Sequence, residues 1–303
     1  MKNYLIKTKI IPVIIIIFGS VFLQQSCRKI SEPEPAVKKS IFDDCIYTGS
    51  DAKFEIVTIN LEGFAKAGST TISIVQELIE KIDPDIIAMQ EMDSETDFND
   101  LLNKLDGWEG RFYPQNNAPW NLAYIFKTSE ISIDDSKTGL ILSGDSYAFP
   151  RPPFEVFVTH KGLNISAYLI DLHLKCCGGA DNMARRRDAS EKLENYIKDF
   201  RSDDPVILLG DYNDIISGND SATNVFYNFV SLPSEYRFTD MDIAKGNAMY
   251  WSYPLYPSDI DHILVTNELF DRIDTTMVLR PDICYTDYFD NISDHRPVEL
   301  VLK

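Results

Sequence analysis

The chain has 303 residues, 44% of them hydrophobic and 12% aromatic, which is enough to bury a sizeable core as one large domain or two small ones. Asp and Glu number 47 against 29 Lys and Arg, a formal net charge of -18, and this disfavours a wide electrostatic footprint for polyanions. Any nucleic-acid binding must be local, metal-assisted or weak.

In chain order, Lys2, Lys7 and Lys9 precede an apolar run from Ile10 to Leu23. That run is shorter than the roughly 20 residues a spanning helix needs, so residues 1–27 read as an export signal more than an anchor; the alternatives to lipid attachment at its end are ordinary cleavage or a retained anchor. Ser26-Cys27 closes the run and resembles the lipid-attachment site of a bacterial lipoprotein, although Gln24 and Gln25 depart from the usual pattern. Such a site implies membrane tethering through Cys27, an extracytoplasmic location and a cell-envelope lipoprotein or secreted product. The tract Ser31-Glu32-Pro33-Glu34-Pro35, with Lys38 and Lys39, is polar and proline-broken, so residues 28–50 are expected to be a flexible tether and 51–303 the folded domain. If lipid consumes Cys27, then Cys45, Cys176, Cys177 and Cys284 remain, an even number in an oxidising compartment. The adjacent pair can bond to each other or to the two distant cysteines. A zinc site is the weaker reading, because no second close Cys/His pair accompanies them.

Phe54 to Ile59 is strand-like and ends at Asn60, and Gly63 and Gly68 then break the chain. Ile74, Leu78, Ile79 and Ile82 share one helical face, Pro84 stops that helix, and Ile86 to Met89 is a short apolar strand running into Gln90-Glu91. The middle stretch, Asn121 to Lys175, reads as a run of hairpins broken by Gly139, Gly144, the Pro150-Arg151-Pro152-Pro153 corner and Gly162. A helix is expected from about Asn182 to Phe200, with Leu193, Tyr196, Ile197 and Phe200 on its buried face. Pro205 opens the apolar run Val206-Ile207-Leu208-Leu209, which ends in Gly210-Asp211-Tyr212-Asn213. Aromatic-rich loops fill Phe226 to Tyr256, and strands at Ile260 to Thr266 and Pro297 to Leu302 follow. This alternation argues for two packed sheets flanked by helices.

Acids, amides and histidines therefore collect where apolar strands end, as groups able to hold a hard divalent cation and a phosphate on one rim. Asn60, Gln90-Glu91, Asp171-Leu172-His173, Gly210-Asp211-Tyr212-Asn213, Asp261 and Ser293-Asp294-His295 stand in the order found in the endonuclease/exonuclease/phosphatase superfamily. The chain from Phe54 to its C-terminus resembles that superfamily, which is similar in fold to deoxyribonuclease I. The resemblance implies an α/β fold, a four-layer α-β-β-α sandwich, and metal-dependent phosphoester hydrolysis.

Glu91 offers a hard carboxylate for Mg²⁺ or Mn²⁺, with Asn60 and Asp294 beside it to bind the ion or position its waters. Asp211 and Asn213, two apart at a strand end, point to the same side, one to take a proton from water and one to hold a phosphate oxygen; turn formation by Gly210, Asp211, Asn213 and Asp214 is compatible with that. By the resemblance, Asp261 fixes the tautomer of His295, and His173 faces the phosphate from the other side to stabilise charge or protonate the leaving oxygen. Arg151 resembles the phosphate-contacting arginine of the deoxyribonuclease-like members. Arg185, Arg186 and Arg187 read as a solvated face or as helix-to-sheet salt bridges, and His160 and His262 as packed or solvated surface groups. Lys175 is a candidate contact to a backbone phosphate.

The leading expectation is an extracytoplasmic Mg²⁺-dependent nuclease cleaving phosphodiesters. Hydrolysis of a phospholipid headgroup, as by sphingomyelinases, or of an inositol phosphate is the alternative, to be separated by the loops at Gly107 to Trp120 and Lys245 to Pro257. A non-catalytic binding protein on the same fold ranks below both, because the charged site residues are all present. No protein partner is inferable, and the chain reads as a monomer.

Overall fold

Runs such as Val206-Ile207-Leu208-Leu209 are apolar at every position rather than every second one, which requires a strand covered on both faces. The computed structural model, which describes residues 39–47, 49–114 and 119–303, provides that cover. The expected export signal, Cys27 and residues 28–38 lie outside the described residues.

The chain opens with strand β1 (Phe54–Phe64), helix α1 (Ser69–Ile82) and strand β2 (Ile86–Met92), then helix α2 (Glu95–Leu102) and strands β3 (Trp108–Tyr113) and β4 (Asn121–Lys127). Strands β5 (Ile131–Leu140), β6 (Phe154–His160) and β7 (Ile165–His173) follow as hairpins, then helix α3 (Ala180–Phe200) and strands β8 (Val206–Asp211), β9 (Tyr236–Phe238), β10 (Asp261–Thr266), β11 (Ile273–Val278) and β12 (Val298–Leu302). Among the described residues they form two six-stranded sheets, ordered β11-β12-β1-β2-β4-β3 and β5-β6-β7-β8-β10-β9. Both are mixed. The pairs β1/β2 and β7/β8 are parallel, and their other neighbours are antiparallel.

Period-two alternation assigns each strand residue to a layer. Ile56, Ile86 and Ala88 of the first sheet meet Val156, Leu169, Ile207 and Leu209 of the second in the central core. Val57, Ile59 and Ile87 face the other way, onto Val75, Leu78 and Ile79 of α1. Ile170, Leu172, Val206 and Leu208 pack on Ala189, Leu193 and Ile197 of α3. The result is helix, sheet, sheet, helix, as the resemblance implies.

Several boundaries differ from the sequence reading. β1 runs on past Asn60 to Phe64, with Glu62 at φ 45° and Gly63 at φ 66°. β3, expected as part of a loop, is an edge strand whose sequence Trp-Glu-Gly-Arg-Phe-Tyr shows no apolar period. Phe200, expected on the buried face of α3, is 64% exposed; its ring lies against that of Tyr196 one turn back, with centroids 5.2 Å apart. The folded body begins at Lys39 rather than at residue 51: Phe42 is fully buried against α1 and its neighbours, and Cys45 is bonded to Cys284. Cys176 and Cys177 are free thiols. No helix among the described residues is long and apolar enough to cross a membrane.

Candidate active site

Two parallel strand pairs, one per sheet, end at the same edge of the sandwich. Asn60 lies opposite Gln90 in the β1/β2 register, and His173 opposite Asp211 in the β7/β8 register. Asp261, the first residue of β10, pairs with Asp211 from the other side. The loop before β12 brings Asp294 and His295. Asn60 ties the sheets together, its Nδ2 donating to Glu91 Oε1 at 3.1 Å and to Asp211 Oδ2 at 3.0 Å. Just beneath, Gln90 Nε2 donates to Asp171 Oδ1 at 2.6 Å across the same interface. Glu91 and Asn213 have φ of 58° and 55°, a left-handed conformation that non-glycine residues adopt at a cost and that clusters at functional sites.

His295 Nδ1 bonds to Asp261 Oδ2 at 2.8 Å. Its backbone is pinned too: His295 N donates to Ser293 Oγ, which donates to the Asn60 carbonyl, and the Tyr288 hydroxyl donates to the His295 carbonyl. Burial alone would lower the pKa of His295, but the Asp261 carboxylate overrides it, aided by Asp211 and Asp294, and pushes it up to about 10.

The second histidine of the site, His173, is in the opposite state. Burial, with the charges of Arg151 and His295 added, holds it well below the usual histidine range. It is therefore neutral, with Nε2 lying 3.5 Å from Asp211 Oδ2 and 3.7 Å from Glu91 Oε1.

Asp211 is pushed up to about 7, chiefly by burial. Its Oδ1 accepts the backbone N–H of Asn213 at 2.8 Å, which closes the turn and sets the asparagine side chain beside it. Gly210 permits the close approach beneath: at φ 133°, a Cβ there would lie 2.1 Å from the Leu172 carbonyl oxygen.

Asp211, Asp261 and His295 place potential ligand atoms within 4.8 Å of one another, and His295 Nδ1 is engaged by Asp261. Glu91 and Asp294 fit a hard cation better. Burial raises both pKa values, with Asp294 adding to Glu91 and Glu62 to Asp294, so the carboxylates crowd one another in a site that a divalent cation would neutralise. Carboxylate oxygens from Glu91 and Asp294 suit Mg²⁺ or Mn²⁺, which keep several waters and need few protein ligands; Asn60, expected beside them as a ligand, is buried with its Oδ1 accepting the Glu62 N–H, and it fixes the Glu91 carboxylate instead.

The cleft over these groups has a volume of about 590 Å³, and Glu91, His173, Asp211, Asn213, Asp294 and His295 all line it. Asn60 and Asp261 hold those residues from behind. Arg151 is placed differently from the sequence reading: it is 7% exposed, and its Nε and Nη2 donate to the carbonyls of His173 and Leu174 at 3.0 and 2.7 Å. It braces the end of β7 rather than opening onto the cleft. Lys175 donates to Cys176 Sγ at 3.6 Å.

Two features escaped the sequence reading. Glu62 lines the cleft and accepts the Asp294 backbone N–H at 2.8 Å; its spacing of two from Asn60 on a strand was the available signal. Tyr253 packs on His295, with ring centroids 4.7 Å apart. Of the two readings offered for Arg186, the salt bridge is met and the solvated face is not: only 3% exposed, it pairs with Asp214 at 2.8 Å and donates to the carbonyls of Lys175 and Cys177. His160 and His262 are both fully buried, so they are packed rather than solvated. His262 bonds Asp240 and the Asp214 carbonyl, and Asp240 overcomes the effect of burial to push it up to about 9. With both ring nitrogens engaged, it anchors the loop that follows Asn213.

A sequence profile of the Endonuclease/Exonuclease/phosphatase family matches residues 57–295. Nocturnin of Drosophila melanogaster is 25% identical over 150 residues, covering 46% of this chain and 23% of that protein, so the matched part spans about a quarter of the relative's length. Among solved structures, D. rerio TDP2 complexed with a single strand DNA product is similar with a TM-score of 0.63 at 14% identity, covering 83% of this chain and 99% of that one. The 3' phosphatase NExo from Neisseria, bound to a product DNA hairpin, gives 0.61 at 17% identity, covering 82% and 99%. At these identities the structural likeness speaks for the fold.

Proposed function

We propose, because the chain belongs to the Endonuclease/Exonuclease/phosphatase family and is thereby a phosphoester hydrolase, that it is an extracytoplasmic, metal-dependent phosphodiesterase acting on nucleic acid. The observation that carries this reading is the convergence of Glu91, His173, Asp211, Asn213, Asp294 and His295 on one cleft. Glu91 and Asp294 are the residues that would hold Mg²⁺ or Mn²⁺, with Asn60 fixing the Glu91 carboxylate; the ion when bound neutralises charge developing on the phosphate. Asp211 accepts the proton of the attacking water at its carboxylate. Asn213, held by its backbone bond to Asp211, positions a phosphate oxygen. His295, with Nδ1–H donated to Asp261, presents a charged Nε2–H to the phosphoryl group. His173 donates a hydrogen bond while carrying no net charge.

The DNA-bound relatives support a nucleic-acid substrate, and the charge of -18 favours a grip on one or a few phosphates over a long tract. The Cys45–Cys284 disulfide and the export-like N-terminus support a place outside the cytoplasm. The chain is taken to act as a monomer, with lipid tethering at Cys27.

A second reading has one observation in its favour. Met249, Tyr250, Leu255 and Tyr256 are each more than half exposed on the loop that carries Tyr253, an apolar rim suited to a lipid surface and a headgroup phosphodiester. Incubation with single-stranded DNA, RNA and sphingomyelin vesicles, each with Mg²⁺ or EDTA, separates the two. Mg²⁺-dependent cutting of a polymer is expected; headgroup release without polymer cleavage would replace the nuclease reading with the lipid one.

A further inference from the structure

We propose that Cys176 and Cys177 are a redox-active vicinal dithiol at the mouth of the cleft, which closes to a disulfide by exchange with a small-molecule disulfide and thereby changes turnover; the last clause rests on the hydrolase reading above, the thiol chemistry does not.

Adjacent side chains in a strand point to opposite faces, but this segment is not extended. Cys177 has φ of 75° and Gly179 of 101°, and the bend brings the two Sγ atoms within 2.8 Å. Cys177 is exposed and Cys176 partly so, and both line the cleft, so an oxidant can reach them. The other two cysteines of the folded body are already bonded to each other.

The segment is also wired to the catalytic turn. The Leu174 N–H donates to the Asp211 carbonyl at 3.0 Å, and Asn213 Nδ2 donates to the Leu174 carbonyl at 3.3 Å. Arg186 holds the carbonyls of Lys175 and Cys177 in one grip with the Asp214 carboxylate. Closing a ring across the 176–177 peptide must turn that peptide, and these bonds pass the movement to Asp211 and Asn213.

The exchange balances in two steps. One cysteine, as thiolate, attacks the external disulfide, giving a mixed disulfide and one released thiolate. The second cysteine loses its proton to solvent and attacks the cysteine sulfur of the mixed disulfide, forming the Cys176–Cys177 bond and releasing the second thiol. Two protein thiols are oxidised and one small disulfide is reduced to two thiols.

The test treats the full chain with oxidised glutathione and then dithiothreitol, reading the mass of the 176–177 peptide and the Mg²⁺-supported hydrolysis of a phosphodiester. The peptide should become lighter by two hydrogen atoms, the rate should change on the order of tenfold or more, and dithiothreitol should reverse both. The Cys176→Ser/Cys177→Ser double variant should show the same rate before and after oxidant. A persistent glutathione adduct or two free thiols would overturn the disulfide, and a closed disulfide with an unchanged rate would overturn its link to the cleft. Absence of hydrolysis in both redox states would instead count against the hydrolase reading, leaving the mass to score the thiol chemistry.

Discussion

His295 and His173 share a cleft yet carry opposite charge states, and the difference lies in their neighbours. His295 has a carboxylate on Nδ1, whereas His173 Nδ1 is buried without a hydrogen-bond partner among the described residues and faces the positive Arg151 and His295. His295→Ala should lower the hydrolysis rate on the order of a hundredfold or more with thermal stability retained, as read by steady-state kinetics beside a melting curve. Asp261→Asn should cost a similar factor, and the double variant should be little worse than either single one, because the two residues act as a unit. Additive losses would mean that Asp261 does not work through His295. At this scale the sequence was informative where a residue type is demanded by chemistry, as at Glu91, Asp211 and His295. At Arg151 residue type decides less, because a guanidinium suits a phosphate and a pair of backbone carbonyls equally well, and the fold puts the His173 and Leu174 carbonyls on its Nε and Nη2.

The elements position these groups through a few tight contacts. Gly210 lets β8 pass the Leu172 carbonyl where a Cβ would collide with backbone. Gly210→Ala should therefore destabilise the chain by about 3 kcal/mol or more, measured by denaturant unfolding, and should reduce activity by displacing Asp211. An unchanged midpoint would show that the strand can shift to make room. Elements covered on both faces, such as β2 and β8, were legible because a short, unbroken apolar run bounded by turn formers demands burial on every side. β3 was not, because an edge strand needs no apolar period. The packing of the 39–47 segment was also hidden, since its anchors are Phe42 and a cysteine whose partner is 239 positions away, and local pattern does not carry such pairings.

At the scale of the whole molecule, the end of the sandwich opposite the cleft holds buried acids. Burial, with repulsion from neighbouring carboxylates, raises Glu55 and Glu299 to about 7 and Asp85 to about 6. A carboxyl whose pKa is higher folded than unfolded binds more protons in the native state, so its contribution to stability is present below the ordinary carboxylate value near 4 and is lost as pH rises through about 7. Glu299→Gln, which resembles the protonated acid, should raise the melting temperature at pH 8 relative to wild type and leave it nearly unchanged at pH 4. Equal shifts at both pH values would show that Glu299 does not titrate in this window.

On the proposed function, strand ends from both sheets build one divalent-cation site for phosphoester hydrolysis. Its most direct test is the rate of phosphodiester hydrolysis against Mg²⁺ concentration for the wild type and for Glu91→Gln. The wild-type rate should rise to a plateau and vanish in EDTA, and the variant should need far more Mg²⁺ and reach a lower plateau. Identical Mg²⁺ curves for the two proteins, or hydrolysis that persists in EDTA, would mean that Glu91 holds no catalytic cation.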